Sequence, residues 1–176
     1  MADSNSKKSY FGLLVVVMTA SFVTPFMGSA VNVALPQIGN ELGIHADGLS
    51  WVAMSYILVS AVLLLPFGAL CDIIGRKRIF ITGMIIFSVA SFLCAISGSS
   101  AMLFTSRALQ GLGSSMIFGT SMAMVMAAVP PNKRGSVIGT VVFATYTGLA
   151  IAPVIGGLMI HVMGWRSIFW LTFIMC

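Results

Sequence analysis

Gly68-Ala-Leu-Cys-Asp72-Ile-Ile-Gly75-Arg76-Lys77-Arg78 sets three basic residues between two long apolar runs. Outside such short clusters the chain is nearly free of charge: 59% of its 176 residues are hydrophobic and 7% are charged. Soluble domains average roughly 25% charged residues. A basic turn in so apolar a sequence reads as a cytoplasmic loop joining two membrane spans. The net charge of +5 does not point to nucleic acid. The basic residues stand in short clusters between apolar runs and form no solvated basic face.

On either side of this loop the chain divides into runs of about 20 residues, each long enough to cross a hydrocarbon core of about 30 Å. Residues 1–9 read as a cytoplasmic tail, and 10–176 as the helical membrane part. Spans are expected over 10–32, 51–70, 79–97, 101–129 and 136–162, with a sixth run over 167–176. Between the first two lies a polar stretch, Val33 to Ser50, carrying Pro36, Glu41, His45 and Asp47. The run from Tyr10 to Asn32 is longer than a signal-peptide core and other spans follow it, so it reads as a span and not as a cleaved leader. The runs lack period-2 alternation, so helices are expected and a barrel is not. The sixth run holds ten residues and at helical rise reaches about 15 Å, half the core. On that ground the chain is expected to be a fragment or a split-gene product.

Orientation follows from the loops. Lys7, Lys8, Arg76, Lys77, Arg78, Lys133 and Arg134 fall on one side, and Arg166 on the other with Glu41 and Asp47. Basic residues collect on the cytoplasmic side, which predicts a multi-pass protein of the cell membrane with a cytoplasmic N-terminus. Trp51, Trp165 and Trp170 then lie at or near the outer interface, as an aromatic belt expects.

Arg107 is the basic residue placed well inside a span, about 9 Å below the outer surface at helical rise. A guanidinium in lipid is costly, so Arg107 should face the bundle or a wet cavity. Gln110 follows at i+3 on the same face. Gly111, Gly113, Ser114 and Ser115 let another backbone come close. Two readings stay open: the pair holds an anionic group or a proton carrier, or Arg107 ties down backbone carbonyls in a structural role. In span five Gly148, Ala152 and Gly156 recur every four residues and form a smooth face. Pro153 frees the carbonyl of Leu149 and should bend the helix. Asp72 is placed to pair with Arg76, one helical turn on. Cys71, Cys94 and Cys176 have no framework spacing and read as free thiols. No nucleophile–base pair, metal cluster or phosphate loop occurs, so no enzyme activity, metal or cofactor is expected. The channel reading finds no filter sequence.

Together these residues resemble the major facilitator superfamily, and within it the fourteen-span drug:proton antiporter branch. Gly68, Leu70, Asp72, Gly75, Arg76 and Lys77 match the family's loop between spans two and three. Arg107, Gln110, Gly111 and Gly113 match its span-four motif. Gly139, Gly148, Pro153, Gly156 and Gly157 match the span-five antiporter motif. Asn32, Ala34, Leu35 and Pro36 match the end of span one, and Trp165-Arg166 with Phe169 match the start of span six.

The resemblance implies an all-α, multi-span fold: the N-terminal six-helix half of a major-facilitator bundle, with the sixth span incomplete. It implies a secondary transporter that exports small amphipathic molecules by proton antiport and alternating access between two halves. Its partners would be the lipid bilayer, a small-molecule substrate, protons and a missing C-terminal half. Arg107 and Gln110 would serve proton coupling, the Gly68–Lys77 loop would act as a conformational switch, and the span-five glycines would form the interface between halves. Spans one and four would line the cavity, and spans three and six would be peripheral. Three residues depart from the family's pattern: Met27 stands where an Asp is usual, Ile73 where a basic residue is common, and Ala152 where Gly precedes Pro153. The alternative reading is a non-transporting membrane fragment or partner subunit that needs a second half.

Overall fold

The computed structural model describes the backbone of residues 2–176 and the side chains of 12–45 and 47–176. Lys7 and Lys8, counted above for the cytoplasmic tail, lie outside the described side chains. The fold is all-α. Its elements are α1 (Ala2–Leu42), α2 (Ala46–Ile74), α3 (Arg76–Ala95), α4 (Ser100–Ala128), a 3₁₀ turn (Pro131–Lys133), α5 (Arg134–Met163) and α6 (Arg166–Met175). The first five helices are long and apolar enough to cross a membrane. The polar stretch after span one is largely helical: α1 continues through Pro36 to Leu42. Proline at 36 releases the carbonyl of Asn32 without ending the helix, a loss that a helix in or near lipid tolerates when neighbours or water answer the freed group.

Turns are made by residues suited to them. α2 and α3 meet at Gly75, whose φ of +106° disfavours any side chain. Ser99 caps α4 by accepting from the Met102 N–H at 3.3 Å, which satisfies one of the helix's free donors. α6 spans ten residues, about 15 Å at helical rise.

α4 is the hub, packed along its length by α3 on one side and α2 on another, while α1 pairs mainly with α5. The hub position follows from its small residues. A Cβ on Gly113 would stand 2.6 Å from the Phe87 backbone N, and one on Gly111 2.5 Å from the Tyr56 carbonyl oxygen. Glycine there lets the α3 and α2 backbones touch α4, the close approach by which membrane helices gain packing. On α3 the outward residues Ile81, Ile85 and Val89 are exposed and apolar, as a lipid-facing peripheral helix requires.

Candidate transport site

Arg107 is enclosed by α2, α3 and α4 and is only 1% exposed. Its Nε donates to the Val52 carbonyl on α2 at 3.2 Å, and its Nη1 donates to Gln110 Oε1. Gln110 Nε2 in turn donates to Ser91 Oγ on α3 at 2.8 Å. The guanidinium carbon lies 4.4 Å from the centre of the Tyr56 ring, a cation–π contact strengthened by the absence of water. The Tyr56 hydroxyl lies 3.2 Å from the Thr24 carbonyl on α1 and 2.9 Å from Ser114 Oγ on α4. Among the described residues, every buried side-chain N or O has a hydrogen-bond partner. Among the described residues the guanidinium therefore meets dipoles and a ring, and no carboxylate.

A groove of about 430 Å³ opens between α1, α2, α4 and α5. Ser29 and Asn32 of α1, Tyr56 and Ser60 of α2, and Phe118 of α4 contribute to its lining. Polar side chains at membrane depth face a bundle interior or a wet cavity, and seldom lipid. The side with Asn32 and Ser60 thus differs in kind from the isoleucine-rich outer face of α3. Arg107 does not line the groove; Tyr56 stands between them.

Met27, in the position where the family usually has an acid, is fully buried. Its Sδ accepts from Thr172 Oγ1 of α6 at 3.1 Å, so the residue packs α1 on α6.

The loop after α2 forms the expected pair and one further contact. Arg76 donates through Nη2 and Nε to Asp72 Oδ1 at 3.0 and 3.2 Å, and through Nη1 to the Ala123 carbonyl near the end of α4 at 3.0 Å. Lys77, Arg78 and Ile73 are exposed. The residues of the span-five motif fall on two faces. Gly148, Ala152 and Gly156 are buried against α1: a Cβ on Gly148 would collide with the Phe22 carbonyl, and one on Gly156 would come within 3.1 Å of Ala30 Cβ. Gly139 and Pro153 are exposed, and Gly157 is half-buried. The smooth stripe is therefore occupied within this chain, and Gly139, Pro153 and Gly157 of the motif are not buried by it. Gly68 lies where α2 meets α4, within 3.2 Å of a Cβ placed on Gly119.

At the opposite end Glu41 accepts from Trp165 Nε1 at 2.6 Å and pairs with Arg166. Arg166 also donates to the Ser97 carbonyl at 2.9 Å. Trp165 is 1% exposed, so it is a packed residue and not part of an aromatic belt; Trp51 and Trp170 remain exposed. Sequence reading missed Tyr56, Ser91, the Val52 carbonyl and the pairing of Glu41 with Trp165 and Arg166. Each acts across helices, and spacing along one helix carries no signal for that.

The arrangement defines a multi-pass helical membrane protein with an enclosed guanidinium beside a polar-lined groove. A family model of the Major Facilitator Superfamily matches residues 17–176, and the chain belongs to that superfamily. It is 34% identical over 157 residues to the riboflavin transporter RibZ of Clostridioides difficile, covering 89% of this chain and 34% of that protein. It is 39% identical to the multidrug resistance protein Stp of Mycobacterium tuberculosis, covering 81% and 27%. It is 34% identical to the methylenomycin A resistance protein of Bacillus subtilis, covering 95% and 36%. The chain spans about a third of the length of these curated relatives. In fold it is similar to a bacterial homologue of the human lysosomal transporter Spinster, solved inward-facing and unoccupied. The TM-score is 0.70 at 17% identity, over 97% of this chain and 41% of that one.

Proposed function

We propose that the chain is the N-terminal transmembrane half of an exporter of small amphipathic molecules, working by alternating access and proton antiport with a second transmembrane half. The N-terminus and the Gly68–Lys77 loop lie in the cytoplasm in this reading. The observation that carries it is the groove: Ser29, Asn32 and Ser60 sit on a surface of apolar spans where lipid would disfavour them. Relatives named for multidrug and methylenomycin A resistance support export, and the relative named as a riboflavin transporter supports a ring-containing cargo. Arg107 and Gln110 serve coupling by holding α2, α3 and α4 in one arrangement. Asp72 and Arg76 tie α2 to the end of α4 and bias the carrier between its two forms. Gly139, Pro153 and Gly157 are the span-five surface offered to the other half.

The test co-produces the chain with the part of the methylenomycin A resistance protein that lies beyond the matched region. Riboflavin uptake is then followed in everted vesicles under an imposed pH gradient. The expected result is accumulation that collapses when the gradient is discharged. Accumulation indifferent to the gradient would remove proton antiport, and no accumulation above empty vesicles would remove export.

A further inference from the structure

We propose that Tyr56 is the positioning residue through which a ligand in the groove acts on Arg107, and that this ligand is an uncharged planar ring carrying hydrogen-bonding groups. The inference rests on the transport reading above. Among the described residues, the lining of the groove includes Ser29, Asn32 and Ser60 as hydrogen-bonding partners and Tyr56 and Phe118 as aromatic surfaces, with no Asp, Glu, Lys or Arg. A cation entering it leaves water and meets no carboxylate on this chain's described side of the cavity, which is costly. An uncharged ring loses little solvation and gains apolar burial and aromatic contact.

Tyr56 belongs to both sites. It lines the groove beside Gly28, where a Cβ would stand 3.4 Å from the Tyr56 Cε1 atom. The face of the same ring carries the Arg107 guanidinium at 4.4 Å. The hydroxyl is held at both α1 and α4, by Thr24 and Ser114. The ring therefore cannot slide freely. A ligand that tilts it must re-seat the guanidinium, whose remaining bonds go to Val52 on α2 and Gln110. Arg107 is enclosed and outside the lining, so the ring is its contact with the occupant. Ligand entry is thereby felt by the three helices that the Arg107 cluster ties together.

The purified chain in lipid nanodiscs, labelled with ¹⁵N-arginine, is titrated with acridone, an uncharged tricycle bearing N–H and C=O. The Arg107 Nε resonance is assigned by its loss in Arg107→Lys. Acridone is expected to bind roughly tenfold more tightly than proflavine, a cationic tricycle of similar outline, a difference of about 1.4 kcal/mol. At saturation the Arg107 resonance should move while those of Arg134 and Arg166 stay. Tyr56→Phe, which keeps the ring, should retain the movement, and Tyr56→Leu, which also gives up an aromatic contact with the ligand and so needs more acridone to saturate, should show none at saturation. Acridone binding with no movement of Arg107 in the unaltered chain overturns the coupling and leaves the groove standing; this arm needs no variant to fold. Proflavine binding as tightly as acridone overturns the ligand class. No acridone binding, or binding that survives Ser60→Trp, overturns the groove itself and with it the surface on which the transport reading rests.

Discussion

Arg107 and Arg76 are the same residue in two solvents. Arg107 is shut inside three helices and answered by a carbonyl, an amide and a ring. Arg76 lies at the end of the bundle, its side chain 40% exposed, paired with an Asp72 side chain that is 64% exposed. Exposed pairs of this kind contribute roughly 0.2–1 kcal/mol and are screened by salt. Hydrogen bonds between membrane helices are not much stronger singly, averaging about 0.6 kcal/mol with a maximum near 1.7. The difference between the two sites is thus one of freedom. The interior arginine has no alternative partner in lipid, so it fixes geometry. The rim arginine can exchange Asp72 for water, so it is held less firmly.

These magnitudes place the main cohesion elsewhere. Gly113 allows the α3 backbone to lie against α4, and a Cβ there would face Phe87 N at 2.6 Å and the Gly83 carbonyl at 2.8 Å. Backbone cannot yield as a side-chain tip can. Gly113→Leu should therefore have the largest effect, separating α3 from α4 and removing Ser91 from Gln110. The measurement is the fraction of protein recovered as a single monodisperse species in detergent, expected to fall severalfold or more. Gly139→Leu, at an exposed glycine with nothing within 4 Å, should leave that fraction unchanged. Equal recovery of Gly113→Leu and Gly139→Leu would mean the interior cluster is not built on the α3–α4 contact.

Arg107→Leu comes next. It removes the guanidinium and leaves Gln110 with one partner, at a cost of about 1–3 kcal/mol for each buried group left unpaired. The helix seams persist, so protein level should hold while gradient-driven accumulation falls by at least tenfold. Retained accumulation would reduce Arg107 to packing.

The helices were legible because burial in lipid forces long apolar runs, and the basic turns fix where those runs end. The partners of Arg107 were not. Gln110 is legible at i+3 on one helix, but Tyr56 and Ser91 come from α2 and α3, and only the meeting of three helices at Gly111 and Gly113 brings them together. The stripe Gly148, Ala152 and Gly156 was legible as a contact face, yet its spacing could not say whose contact. α1 takes it, through Phe22 and Ala30. The loop charges place Trp165 at the outer interface, but they say nothing of its burial. Its burial depends on Glu41 and Phe169, which reach it from the end of α1 and from α6.

The smallest expected effect is at the rim and sharpens the contrast most cleanly. Asp72→Asn removes the charge that holds Arg76 Nη2 and Nε, while Arg76 Nη1 keeps the Ala123 carbonyl. The stability loss should stay below about 1 kcal/mol. Because the pair is exposed, the loss should shrink as ionic strength rises and the Debye length falls from about 10 Å at 0.1 M to about 3 Å at 1 M. Thermal unfolding of Asp72→Asn and of Arg107→Lys, each against the unaltered chain at both salt concentrations, separates the two environments. The Asp72→Asn difference should fade with salt. The Arg107→Lys difference should persist, since mobile ions do not reach a side chain enclosed among α2, α3 and α4. A salt-sensitive Arg107→Lys difference would mean that water enters the cluster, and that the interior arginine is only a deeper version of the one at the rim.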